Sequence, residues 1–123
     1  MKVNGAKKIL VIDDETTILE VVKIILKHSG YEVFTHRDGK NIAEFVGRYN
    51  PDLILLDVHL KDVSGGDLCK ELKKTTDIPI VLFSGYANLK KTYQECKADG
   101  YIAKPFERID LLNVISGELR KRA

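Results

Sequence analysis

The stretch KKILVIDDETT, residues 7–17, decides how the chain folds. A run of apolar residues, 9–12, is followed directly by three acids at positions 13–15. A short apolar run bounded by polar residues is typical of a strand that is buried on both faces, as in a parallel sheet. Because like charges held close together repel one another, this strand end predicts a cation or a basic side chain beside the acids.

The composition is that of an ordinary globular protein. The 123 residues include 31% charged and 44% hydrophobic side chains, and the formal net charge is +2. This length predicts one domain, residues 1–123, without a separate output or catalytic domain. The small net charge gives no reason to expect direct nucleic acid binding.

The cysteines and the N-terminus favour a cytoplasmic location. Cys69 and Cys96 are far apart and form no CxxC pair, which favours packed free thiols in a reducing compartment over a disulfide or a zinc site. The N-terminal MKVNGAKK lacks the apolar segment of a signal peptide, and no stretch is long enough for membrane insertion.

Strand-like runs alternate with helical patterns along the chain. The predicted strands are 8–13, 32–35, 53–56, 80–83 and 101–103, and the predicted helices are 16–28, 41–49, 67–74, 88–98 and 108–120. The apolar positions expected to face the core are Ile18, Val21, Val22, Ile25 and Leu26 in the first helix, and Ile109, Leu111, Leu112 and Ile115 in the last. Such repeats predict an α/β fold with a doubly wound five-stranded parallel sheet and right-handed crossovers, as in flavodoxin-like proteins.

Polar side chains follow four of the predicted strands at the point where each strand ends. They are Asp13 and Asp14, then Asp57, Ser84 and Lys104. In open α/β sheets ligands bind at this edge, in the crevice where the strand order reverses. With the strand order 2-1-3-4-5, Asp57 lies beside the first two acids. Three carboxylates around one hollow favour Mg²⁺, and the lysine can add a positive charge.

At these same points the sequence resembles the receiver (REC, CheY-like) domain of two-component response regulators. The matching segments are VIDDE after the first strand, PDLILLDVHL around position 57, SGYA after the fourth strand, and ADGYIAKPF. The resemblance covers essentially the whole chain. It implies a CheY-like fold, Mg²⁺ as cofactor, and a switch that modifies itself in place of a turnover enzyme.

The resemblance also implies a role for each acid. Asp57 would accept a phosphoryl group from a phosphohistidine on a sensor histidine kinase or a phosphotransfer protein. Asp13 and Asp14 would hold Mg²⁺ together with Asp57 and the main-chain carbonyl of His59. A carboxylate can act as the nucleophile of such a transfer.

The remaining implied roles concern the switch. Ser84 would bind the phosphoryl group, Lys104 would pair with it, and Lys104–Pro105 would be a cis peptide. As Ser84 moves, Tyr101 would turn inward and remodel the face made by the fourth helix, the fifth strand and the fifth helix. That face would bind a downstream protein or output domain, with a phosphorylation-dependent homodimer left open.

Lys61 departs from the usual receiver sequence, and His59 and Tyr86 occupy positions at which receivers tune the access of water to the acyl phosphate. Lys61 stands where receivers commonly have a proline, so we expect a less rigid turn there. His59 and Tyr86 lie two residues after Asp57 and Ser84, respectively, and we hypothesise that their rings slow hydrolysis of the acyl phosphate.

Three other functions stay open from sequence. A receiver-fold module could signal by docking without phosphorylation. A phosphatase with an aspartyl nucleophile also places an acid after a parallel strand, but it requires a second Asp where this chain has His59. A flavin protein shares the expected fold, although the acidic loop DDETT would repel a flavin phosphate.

Overall fold

The structure, a computed structural model, describes residues 5–85 and 88–121. The strands are β1 (Lys8–Ile12), β2 (Glu32–His36), β3 (Leu53–Asp57), β4 (Ile80–Ser84) and β5 (Gly100–Ala103). The helices are α1 (Thr16–His28), α2 (Ile42–Tyr49), α3 (Gly65–Thr75), α4 (Leu89–Cys96) and α5 (Arg108–Lys121). All ten elements occur where the sequence predicts them, with bounds that differ by no more than two residues. Within the described ranges, no helix is both long and apolar enough to cross a lipid bilayer.

The five strands form one parallel sheet in the order β2-β1-β3-β4-β5, which confirms the predicted doubly wound topology. β3 lies between β1 and β4, with Ile9 opposite Leu53 and Ile54 opposite Ile80. The strand order therefore reverses between β1 and β3, and the carboxyl ends of both strands reach the same edge of the sheet.

Side chains of the three central strands alternate between two cores. One face packs against α1 and α5 and contains Ile9, Val11, Leu53, Leu55, Val81 and Phe83. The other face packs against α2, α3 and α4 and contains Leu10, Ile12, Ile54, Leu56, Ile80 and Leu82. Because helices cover both faces, each central strand is a continuous apolar run, and polar groups can follow only at its ends.

The prediction that Val21 and Ile109 face the core is wrong. Val21 on α1 is 45% exposed, and Ile109 on α5 is 56% exposed. The buried residues of α1 are Leu19, Val22 and Leu26, and those of α5 are Leu111, Ile115 and Leu119. Both sets follow the three- and four-residue spacing of one helix face, and Val21 and Ile109 lie outside it.

Candidate functional site

The sequence-predicted polar residues converge at the carboxyl edge of the sheet. Asp13 directly follows β1, Asp57 and Ser84 are the last residues of β3 and β4, and Lys104 directly follows β5. Three of them, Asp57, Ser84 and Lys104, line a hollow of about 520 Å³. The residues that line it are Asp14, Glu15, Asp57, His59, Ser84, Gly85 and Lys104.

Three carboxylates form the acidic part of the site. Asp13, Asp14 and Asp57 each present an oxygen within 4.8 Å of the others, and Asp13 and Asp57 are buried. Burial first, and the charge of Asp13 second, raise the pKa of Asp57 to about 6 against the opposing effects of the His59 amide and Lys104. A set of oxygen ligands that repel one another in this way fits a hard divalent cation such as Mg²⁺.

Lys104 is the basic side chain that the acidic strand end predicts. Its Nζ donates a hydrogen bond to Asp13 Oδ2 at 2.8 Å and lies 3.8 Å from Asp57 Oδ2. Its main-chain N–H donates to the Ser84 carbonyl at 2.8 Å, which ties the ends of β4 and β5 together. The Lys104–Pro105 peptide is cis, as the resemblance implies. The cation is therefore positioned between two of the three acids.

The backbone after β3 holds Asp57 in place. The His59 N–H donates to Asp57 Oδ1 at 3.2 Å, and the Gly65 N–H donates to the Val58 carbonyl at 2.8 Å. A Cβ atom at position 65 would overlap the Asp57 carbonyl oxygen, so only glycine allows α3 to begin this close to the acceptor strand. The Ser64 hydroxyl then accepts a hydrogen bond from the Asp67 N–H and caps α3.

A contact between two loops was missed by the sequence analysis. The Gly39 N–H donates to both carboxylate oxygens of Asp62, at 3.0 and 3.1 Å, and a Cβ atom at position 39 would overlap the Val63 side chain. We call this contact the Asp62–Gly39 clamp. It restrains the loop that contains Lys61, where the family's proline is absent. Its two partners are 23 residues apart, so no local pattern reveals the contact.

Of the three ring residues to which the sequence analysis assigns a role, the structure describes Tyr101 and His59. Tyr101 on β5 is 38% exposed, and its ring centre is 4.9 Å from that of Tyr93 on α4. The described conformation thus has Tyr101 on the outer surface, at the face where the resemblance places the switch. His59 is exposed and lines the hollow. Tyr86 lies outside the described residues, so its role in hydrolysis stays a prediction.

The chain is similar to solved structures of receiver domains. A CheY-like response regulator receiver domain from Methanospirillum hungatei is 32% identical with a TM-score of 0.89, covering 95% of this chain and 96% of that chain. The signal receiver domain of a histidine kinase from Syntrophus aciditrophicus is 31% identical with a TM-score of 0.86, covering 94% and 92%. The BeF3-activated N-terminal receiver domain of RstA from Klebsiella pneumoniae is 28% identical with a TM-score of 0.87, covering 93% and 99%.

The family comparison covers most of the chain. The family model for the response regulator receiver domain matches residues 9–116, a range that includes every residue of the carboxyl-edge site. The sheet order, the acidic hollow and the lysine after β5 agree with that match. The chain belongs to the response regulator receiver domain family of two-component signalling.

Proposed function

We propose that Asp57 accepts a phosphoryl group from a sensor histidine kinase or a phosphotransfer protein in a Mg²⁺-dependent reaction. The observation that carries this proposal is the position of Asp57, which faces the open hollow with Ser84 and Lys104 around it. Asp13 is fully buried and already binds Lys104 and the Glu15 N–H, at 2.8 Å each. Asp57 is therefore the better-placed nucleophile.

The residues of the hollow match the needs of phosphoryl transfer. An Asp57 carboxylate oxygen would form the new bond to phosphorus while the bond from phosphorus to the donor's imidazole nitrogen breaks. Transfer of this kind depends on positioning and on neutralising the phosphoryl oxygens. Lys104, whose Nζ is 3.8 Å from Asp57 Oδ2, can supply positive charge, and the Ser84 hydroxyl can donate a hydrogen bond.

The metal would be held by the carboxylates of Asp13, Asp14 and Asp57 and by the main-chain carbonyl of His59. When bound, Mg²⁺ neutralises negative charge on the acceptor and on the phosphoryl oxygens. The close approach of the three acids supports this assignment, because their mutual repulsion is relieved by a cation.

Phosphorylation would act as a switch on the face formed by α4, β5 and α5. Ser84 would move toward the phosphoryl group, and Tyr101 would leave its contact with Tyr93 and turn inward. The exposed position of Tyr101 supports this direction of movement. The BeF3-activated receiver domain of the Klebsiella relative supports the existence of an activated state in this fold. The partners of that face would be a downstream protein, an output domain or a second phosphorylated copy.

We further propose that the domain is a switch and not a turnover enzyme. His59 occupies the position two residues after Asp57, where a phosphatase with an aspartyl nucleophile requires its second Asp. The protein should therefore release no steady flux of phosphate from a simple phosphate ester, which a colorimetric ester substrate would test.

The deciding experiment is the intact mass after incubation with a small acyl phosphate and Mg²⁺. We expect the mass of one added phosphoryl group, lost in Asp57→Asn and in excess chelator. Asp77→Asn, which removes an exposed acid, should be phosphorylated like the unaltered protein and serves as the matched control. No gain of mass, either here or from a phosphorylated histidine kinase, would contradict the proposal and favour a docking module that works without phosphorylation.

A further inference from the structure

The packing of α3 against α4 brings the two cysteines together. Cys69 is fully buried and Cys96 is 2% exposed. The Cys69 thiol donates a hydrogen bond to the Cys96 carbonyl at 3.6 Å, and the Cys96 thiol donates one to the Tyr93 carbonyl at 3.9 Å. The sequence predicted packed free thiols and gave no reason to expect that they meet.

The surrounding contacts hold both helices at this spacing. Lys73 on α3 forms an ion pair of 2.6 Å with Asp99, which lies just after α4. The same Asp99 oxygen accepts the Ile80 N–H at 2.8 Å, so the end of α4 is also fixed to β4. We call the group of Cys69, Lys73, Cys96 and Asp99 the α3–α4 seam. It holds the Cys69 thiol against the main chain of Cys96, with both cysteines in one buried cluster.

A second hollow connects this seam to solvent. It has a volume of about 440 Å³, and Cys96 lies on its wall. Its other lining residues are charged, with four lysines and the three acids Asp67, Glu71 and Glu95. Among the described residues, those that line this hollow and those that line the Asp57 hollow do not overlap. This hollow therefore gives a small polar oxidant a route toward Cys96 that is separate from the Asp57 hollow.

The thiols differ in acidity for a structural reason. The hydrogen bond from the Cys69 thiol, together with the Ala98 amide and the charge of Lys70, lowers the pKa of Cys96 to about 7 against the effect of burial. The same hydrogen bond and burial raise the pKa of Cys69. Since the thiolate is the reactive form of cysteine, Cys96 is the more reactive partner and Cys69 the resolving one.

We propose that Cys69 and Cys96 form a peroxide-sensitive thiol pair that closes to a disulfide between α3 and α4. The Cys96 thiolate attacks one peroxide oxygen, the O–O bond breaks, and a sulfenic acid forms with release of water after proton uptake. The Cys69 sulfur then attacks the Cys96 sulfur, the S–O bond breaks, and a second water leaves. In total, two thiols are oxidised to one disulfide and one peroxide is reduced to two waters.

The disulfide would act on the face that carries Tyr101. α4 contributes Tyr93, the residue against which the Tyr101 ring packs. Joining α4 covalently to α3 would restrain the α4 side of that face, whatever the state of Asp57. Oxidation would thus be an input that is separate from phosphorylation.

The test uses the folded 123-residue chain and hydrogen peroxide. After treatment, the protein is denatured, its free thiols are alkylated, and its intact mass is measured. We expect loss of both alkylatable thiols together and a mass lower by two hydrogens, both reversed by dithiothreitol. Tryptic digestion should yield residues 62–70 joined to residues 92–97. Hydrogen exchange of α4 amides should be slower in the oxidised protein.

Variants separate this proposal from the phosphorylation proposal. Asp57→Asn should form the disulfide as readily as the unaltered chain, whatever its own phosphorylation result. Cys69→Ser should leave Cys96 as a sulfenic acid or a more oxidised form without an intramolecular cross-link. Two alkylatable thiols remaining in the treated wild-type chain, or joining of two chains in place of the internal cross-link, would overturn the proposal.

Discussion

Aspartate side chains have different roles at the two edges of the sheet. At the amino edge, Asp52 accepts the Lys8 N–H at 2.8 Å, and Asp99 accepts the Ile80 N–H and pairs with Lys73. Each of these two acids accepts a hydrogen bond from the main-chain N–H of a strand residue. At the carboxyl edge, Asp57 shares one lysine with a second buried acid and has its pKa raised to about 6.

The hydrogen-bond and ion-pair partners of an acid, and not the number of acids, separate a structural carboxylate from a functional one. An acid that binds a strand amide stabilises the fold because its charge is matched by donors. Acids that are buried beside one another destabilise the free protein and become favourable only when a cation joins them.

Replacing the acid at the carboxyl edge should stabilise the metal-free protein. The pKa of Asp57 is about 6 in the folded protein against an ordinary value of 3.8, so the folded state holds the carboxyl proton more tightly than the unfolded chain does. Its contribution to stability is therefore present below pH 4 and is lost as the pH rises through 6. At about 1.4 kcal/mol per pKa unit, Asp57→Asn should gain up to about 3 kcal/mol at pH 7. Urea unfolding in chelator at pH 7 measures this gain.

The pH dependence supplies the control for that measurement. The stability difference between Asp57→Asn and the unaltered protein should shrink steadily from pH 7 toward pH 4. Asp77→Asn, at an exposed position, should show little difference at any pH. A gain for Asp57→Asn that persists undiminished at pH 4 would show that charge repulsion is not its cause.

Removing the acid at the amino edge should have the opposite sign. Asp99→Ala leaves the Ile80 N–H and the Lys73 ammonium without this carboxylate, so we expect a loss of about 2 kcal/mol. The same unfolding experiment measures it, with Asp77→Ala as the exposed control. If Asp99→Ala is as stable as the control, Asp99 does not stabilise the fold and the two edges do not differ in the way proposed.

Magnesium should stabilise the protein only through the carboxyl edge. A ligand that binds the folded state alone adds about 1.4 kcal/mol at ten times its Kd. We expect this increment in the unaltered protein and in Asp99→Ala, and we expect its loss in Asp13→Asn. Thermal unfolding with and without Mg²⁺ checks all three proteins, and an undiminished increment in Asp13→Asn would place the metal elsewhere.

The smallest effect concerns the Asp62–Gly39 clamp. Asp62→Ala should cost about 0.5–1 kcal/mol because its two hydrogen bonds lie at an exposed position. It should also slow phosphoryl uptake, since the loop after Asp57 loses a restraint. Lys61→Ala, at the exposed neighbouring position, should change neither quantity. A rate of uptake in Asp62→Ala equal to that of Lys61→Ala would show that the clamp is only structural.

Much of the fold and of the site could be predicted because central parallel strands have a simple signature. Strands such as β1 and β3 are buried on both faces, so each is an apolar run that ends where a polar residue can reach solvent. Asp13 and Asp57 follow such runs directly. The helices were harder to interpret: Val21 and Ile109 are apolar, yet α1 and α5 turn them outward, and composition alone does not report which face a helix buries.

By itself, the sequence determined the order of the elements and the polar residues that follow the strands, because periodicity and strand ends depend on neighbours along the chain. The strand order, which pairs β1 with β3, was an expectation of the fold class that the structure confirmed. Only the tertiary structure decided which groups touch: Lys104 with Asp13, Asp62 with Gly39, and Cys69 with Cys96. These partners are separated by 91, 23 and 27 positions, respectively. Such contacts depend on how whole helices and loops pack, and on the charge and burial that result, which no stretch of sequence specifies alone.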